Sequence, residues 1–149
     1  YEGLRLTAEA QAKRIKDAED DEKWHPYVKP GPADNAIFSS EPGRTSIADE
    51  MALVGVKFTR SDKTPGSRIR GVELMRNRLE ASTKRPMERP GIFIFNSCFN
   101  TIRTVPNLEN DQKNIEDIDT CGEDHLWDVI RYRLLRAANK LKTGNVEGV

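Results

Sequence analysis

Cysteine is nearly absent from the chain: only Cys98 and Cys121 occur in 149 residues. Two cysteines do not make a disulfide framework, and no CxxC occurs. A reduced, cytosolic protein fits best. Cys98 follows an apolar run and is expected to be a packing residue. Long hydrophobic runs are missing too, and none approaches the ~18–20 residues that span a membrane. The first residues, YEGLRLTAEAQAKR, have no signal-peptide core. No internal repeat and no low-complexity tract is present. Tyr1 is not an initiator methionine, so the chain reads as a fragment of a longer one.

Net charge is also lacking, with 24 Lys and Arg against 24 Asp and Glu, but the balance hides blocks. Lys57 to Arg89 holds ten basic residues against four acids. Glu109 to Asp128 holds eight acids and a single base, Lys113. Arg131 to Lys142 holds five basic residues and no acid. Such blocks are either solvated faces or a basic track beside an acidic centre. At this length, one domain with a real core is the prior.

Thr7 to about Glu22 reads as a helix capped by Thr7, with Ala8, Ala12, Ile15 and Ala18 as its apolar stripe. Trp24 to Val28 reads as a short strand weakened by Pro26, and Lys29 to Pro32 as a loop by composition. Ser46 caps a helix to about Val54, with Asp49 three residues on and Gly55 as its stop. Val56 to Arg60 alternates as a strand does. After the Pro65-Gly66 turn, Ser67 to Ser82 is an amphipathic helix.

Lys84 to Pro90 is a basic linker. Gly91 to Phe95 is the strongest strand by composition, its continuous apolarity suiting burial on both faces. Asn100 to Val105 reads as a short helix ended by Pro106, and Asn107 to Cys121 as an acidic loop with room for a small hairpin. Glu123 to about Lys142 is the last helix, with Trp127, Ile130, Leu134, Ala138 and Leu141 toward the core. Strands alternating with helices predict an α/β fold.

Two places carry candidate chemistry. On the last helix His125 and Asp128 stand three apart and share a face that Tyr132 and Leu135 continue. The bland alternative makes Glu123 and Asp124 partners of the helix dipole and His125 an ordinary surface residue. Asp34 stands before an apolar step where a strand can end, and sites in α/β sheets gather at carboxyl ends of strands. Its bland alternative is an Asx-turn or cap. Phosphodiester hydrolysis joins these features. Its negative charge is neutralised by hard ions such as Mg²⁺ or Mn²⁺, which carboxylates from separate elements hold. Basic segments then grip the polyanion by its backbone.

The series ADNAIF (33–38), SIADEMALVGVKFTRSDK (46–63), PGSRIRGVELMRNRL (65–79), PGIFIFNSC (90–98), RTVP (103–106) and EDIDTCGEDHLWDVIRY (116–132) resembles the C-terminal nuclease domain of the large terminase subunit of tailed bacteriophages and prophages. The resemblance runs in order over roughly residues 3–136. It implies an RNase H-like mixed sheet flanked by helices, acting as one nuclease domain over 1–149. It also implies a metal-dependent endonuclease, using Mg²⁺ or Mn²⁺, that cuts concatemeric double-stranded DNA in the bacterial cytoplasm. Portal and small terminase subunit are the implied partners, and no membrane is involved.

Residue by residue, Asp34 matches the acid ending the family's fourth strand, with Asn35 where members commonly have proline. Asp128 matches the metal-binding acid of the final helix, with His125 beside it. Glu123 and Asp124 match the motif without an assigned ligand role. Arg68, Arg70 and Arg76 are the candidates for phosphate contact. No packaging-ATPase loop of the GxxxxGK[ST] type occurs. The family's essential Asp on its first strand has no counterpart between Tyr1 and Asp34, so that strand, and the second with it, are expected upstream, leaving this chain one metal ligand short. The competing readings are a non-catalytic DNA- or protein-binding module of the packaging machine, and a hydrolase of small phosphoesters, which leaves the basic blocks unexplained.

Overall fold

The computed structural model describes residues 5–23, 27–112, 115–119 and 124–144, with side chains of the last helix described as far as Asn139. The chain is mixed helix and sheet, and falls into two compact units, Tyr1–Ser61 and Asp62–Val149.

In the first unit, helix α1 (Ala8–Asp21) starts where Thr7 Oγ1 accepts from the Ala10 N–H at 3.2 Å. Helix α2 (Ile47–Leu53) starts in the same way at Ser46, whose Oγ accepts from the Asp49 N–H at 3.1 Å. Gly55, at φ +98°, takes the chain out of α2 in the left-handed conformation that glycine adopts without strain. Ala12, Met51 and Val56 form the buried core, with Ala8, Val54 and Phe58 packed on it.

Strands β1 (Gly31–Ala33) and β2 (Phe58–Arg60) pair in parallel, Gly31 opposite Phe58 and Ala33 opposite Arg60. Parallel strands require a crossover, and α2 lies in it. β1 corrects the loop expected over Lys29–Pro32. Proline composition argues against a central strand, but among the described residues β1 pairs on one side only, and an edge strand tolerates a missing N–H. Of the strand expected at Trp24–Val28, residues 24–26 lie outside the described residues, and Tyr27 and Val28 are not strand.

In the second unit, α3 (Ser67–Thr83) packs along α5 (His125–Gly144). Val72 and Met75 of α3 meet Trp127 and Leu134 of α5 in one cluster with Ile118. Trp127 is the largest fully buried side chain. Ile130 packs against this cluster, as its place in the stripe predicts. Helix α4 (Phe99–Thr104) continues as a 3₁₀ turn, Val105–Asn107, which takes in Pro106. The acidic segment closes as a small hairpin: Asn110 bridges Ile118 antiparallel, and the Asp119 N–H donates to the Glu109 carbonyl at 2.9 Å.

Gly91 to Phe95 corrects the sequence expectation most. It is not a strand, and Phe93 and Phe95 are 69% and 80% exposed. A strand of continuous apolarity forms only between paired neighbours, and the only sheet among the described residues is the two-stranded one. Ile92 is tied down, its N–H donating to Ser82 Oγ at 2.9 Å while its side chain packs on the core. Cys98, expected to pack, is exposed. It follows this unpaired run instead of a buried strand.

Candidate functional site

Asp34 directly follows β1, at its carboxyl end, as the sequence predicts. Its Oδ1 also accepts from the Ala36 N–H at 2.8 Å and caps the 3₁₀ helix Asn35–Phe38. Position and cap therefore coexist. Asn35 has a task that sequence reasoning missed. Its Oδ1 accepts from the Ser61 N–H at 3.1 Å and its Nδ2 faces the Ser61 carbonyl at 3.4 Å. The proline common at this position in the resembled family carries neither group. Asn35 thus ties the end of β1 to the residue after β2.

Asp128 lies in the first turn of α5, where an acid suits the helix dipole. Its backbone N–H donates to the Asp124 carbonyl at 2.9 Å, so Asp124 stands just before the helix and accepts its first hydrogen bond. Glu123 lies outside the described residues. His125 is the first residue of α5, and its side chain is 87% exposed, with Nδ1 3.7 Å from Asp124 Oδ1. It points to solvent, although it stands three residues from Asp128 on the same helix.

The Asp128 carboxylate is bound at both oxygens. Oδ1 accepts from Arg131 Nε at 3.1 Å and Arg131 Nη2 at 2.7 Å, and Oδ2 accepts from the Tyr132 hydroxyl at 3.0 Å. The guanidinium of Arg131 also sits 4.7 Å from the centre of the Tyr132 ring. Exposure decides how this pair works: the Arg131 side chain is 4% exposed and the Asp128 side chain 27%. The cation belongs to the interior, whereas the carboxylate looks out.

It looks into a cleft of about 500 Å³, lined by Lys63 to Ile69, Asp117, Asp128, Arg131 and Tyr132. The Pro65-Gly66 turn, with Gly66 at φ +77°, brings the start of α3 to this cleft. Across it, Arg68 Nε donates to Asp117 Oδ2 at 2.8 Å and Arg68 Nη2 to the Ile118 carbonyl at 2.9 Å, pinning the hairpin to α3. Burial works to raise the Asp117 pKa, but the Arg68 hydrogen bond and the Ile118 N–H outweigh it and hold the carboxyl below its ordinary range. The same hydrogen bond raises Arg68, helped through space by Asp128 and Asp124. Lys63 Nζ lies 5.9 Å from the Tyr132 ring centre on the same cleft.

Of the three arginines named for phosphate contact, Arg68 is committed to Asp117, and Arg70 bonds Asp62 Oδ2 at 3.0 Å and Thr64 Oγ1 at 3.1 Å. Arg76 is exposed. Asp117, Lys63, Arg131 and Tyr132 are cleft residues to which sequence reasoning gave no role at the site. For Asp117 the signal was available in the EDIDT segment. For Arg131 it was helical spacing, four residues after Trp127 and three before Leu134, which places it on the buried face.

Among the described residues, no three His, Cys, Asp or Glu side chains gather into a metal cage. The cleft offers two hard carboxylates, Asp117 and Asp128. That suits an ion of the Mg²⁺ type, which keeps its waters and takes one or two carboxylates plus substrate phosphate. It does not suit an ion that needs an all-protein site.

Asp62 anchors the same unit. Hydrogen bonds from the Thr64 hydroxyl and N–H, with Asn139 and Arg70 nearby, hold its carboxyl below the ordinary range against the opposing effect of burial. A depressed carboxyl contributes stability that is present above its unfolded pKa and lost as pH falls through the folded one. Asp62 and Asp117 therefore both predict a unit that weakens in acid, beginning below about pH 4. Urea midpoints at neutral and acid pH should diverge for the wild type. The divergence should narrow in Asp62→Asn.

Fold and cleft together define a chain of mixed helix and sheet with an ion-paired cleft between two helices. No protein-family model, curated protein or solved structure matches the chain.

Proposed function

We propose that the chain is a metal-dependent endonuclease of the viral DNA-packaging terminase type, RNase H-like in fold, acting on double-stranded DNA. One observation carries this reading. Three of the six segments on which the resemblance rests supply the walls of a single cleft: Lys63 from residues 46–63, Ser67 and Arg68 from residues 65–79, and Asp117, Asp128, Arg131 and Tyr132 from residues 116–132. Residues that merely cap helices need not converge.

Carboxylates beside cations suit a substrate that is itself a polyanion. Asp128, with Asp117 beside it, would hold Mg²⁺ or Mn²⁺, and the resemblance gives Asp34 a metal-binding role as well. The ion would neutralise charge developing on the scissile phosphate. Lys63 would hold a phosphate at the cleft, with Arg68 adding positive charge there while it stays bonded to Asp117, and Arg76 would meet the DNA backbone outside it. The resemblance gives His125, exposed on the first turn of α5, an assisting role through water. A packaging machine, with portal and small terminase subunit, is the setting that the resemblance implies.

Calorimetric titration with Mn²⁺ in the presence of a short duplex tests this. Asp128→Asn and Asp34→Ala are each expected to weaken metal binding at least about tenfold, or 1.4 kcal/mol, while circular dichroism stays unchanged. A binding module that never cleaves would hold the duplex in a salt-sensitive way with neither substitution felt. That result would discard the nuclease reading.

A further inference from the structure

The cleft walls carry three cations, Lys63, Arg68 and Arg131, and two anions, Asp117 and Asp128. The sum is one positive charge. Asp124, which acts on Arg68 through space, brings it to zero. In neither count is the cleft negative, as a site that captures a bare divalent cation needs to be. The guanidinium lying 2.7 Å from Asp128 Oδ1 occupies the position from which a cation would be held.

We propose that Arg131 makes divalent-cation binding at Asp128 conditional on a phosphate: the cleft takes its ion together with the polyanion and not before it. The inference rests on the nuclease reading and adds the order in which the cleft fills. A phosphate entering beside Lys63 and Arg68 adds negative charge and gives the Arg131 guanidinium an alternative partner. The cation then binds a carboxylate whose countercharge is shared. Thermodynamic linkage makes the effect reciprocal, so the ion must tighten DNA binding by the factor by which DNA tightens ion binding.

That reciprocity gives a test in which the sign is informative. At fixed ionic strength a divalent cation weakens ordinary polyanion binding by competing for phosphates. Fluorescence anisotropy of a short labelled duplex is measured with and without Ca²⁺, a hard oxygen-seeking ion. Calorimetry follows Ca²⁺ binding to the chain alone. For the wild type, Ca²⁺ is expected to tighten the duplex about tenfold, within the range usual for coupled sites, and to give no measurable heat without DNA.

In Arg131→Met the Ca²⁺ gain should fall below about threefold, and Ca²⁺ should bind the free chain measurably, since the competing guanidinium is gone. Lys63→Gln, which leaves the core untouched, should shift both readouts the same way by less, and it keeps the test open if Arg131→Met does not fold. Ca²⁺ binding to the free wild-type chain as tightly as to the complex, lost in Asp128→Asn, would overturn the coupling and leave the nuclease reading standing. So would an undiminished gain in Arg131→Met and Lys63→Gln. Ca²⁺ tightening that survives Asp128→Asn would remove both, as would a duplex that Ca²⁺ only weakens or that does not bind.

Discussion

Replacing Gly71 with alanine is expected to destabilise the Asp62–Val149 unit by about 2–4 kcal/mol, where the same change in an exposed helix would stabilise it by about 1 kcal/mol. Gly71 lies in the middle of α3 and has ordinary helical geometry, so propensity alone favours alanine. Space decides otherwise. A Cβ built there would lie 2.4 Å from Arg131 Cγ and 2.8 Å from Cδ. Neither atom is the free end of a side chain, because the guanidinium beyond them is fixed to Asp128 at 2.7 Å. Making room for the methyl group pulls the guanidinium away from its carboxylate. The cost then includes a buried cation that has lost its partner as well as overpacking. Urea unfolding followed by Trp127 fluorescence reads the midpoint. A midpoint that rises would mean that Arg131 leaves its buried position freely, and the role assigned to it would fall.

The ends of elements were legible because their physics is local. Thr7 and Ser46 cap because a side-chain oxygen reaches an N–H two or three residues on, and Gly55 and Gly66 adopt positive φ because they lack a Cβ. Asp34 at a strand end followed from the apolar step after it. What was not legible needed a neighbour. Gly91 to Phe95 reads as a buried strand by every local rule, yet a strand is a property of a pair. β1 reads as a loop because Pro32 is judged without knowing that the strand has a single paired neighbour among the described residues. Arg131 was counted into a basic track, since nothing in its own helix reveals the glycine opposite that admits it to the interior. Asp117 and Asp128 were both in view as parts of motifs. Only the packing of α3 on α5, with the hairpin pinned by Arg68, shows that they face one cleft.

Asp128→Ala should cost about 3–5 kcal/mol of stability, the usual penalty when one partner of a buried ion pair is removed. This matters for every functional test of that residue. The two partners are unequally buried, so the two deletions are unequal. Removing Asp128 leaves a guanidinium 4% exposed with no carboxylate beside it. Removing Arg131 leaves a carboxylate 27% exposed, which water and the Tyr132 hydroxyl still solvate. Arg131→Met should therefore cost distinctly less than Asp128→Ala. The double variant Asp128→Ala/Arg131→Met should recover much of the loss, with a coupling energy of about 1–3 kcal/mol, as expected for residues in one network. A carboxylate kept only to hold a metal would behave differently: its removal would leave stability unchanged, and the double variant would be additive. Denaturant midpoints for the four proteins of the cycle separate the cases. If the cycle shows coupling, loss of metal binding in Asp128→Ala reports partly on a displaced Arg131. Asp128→Asn, which keeps a hydrogen-bond acceptor for that guanidinium, then becomes the variant that isolates the carboxylate's charge.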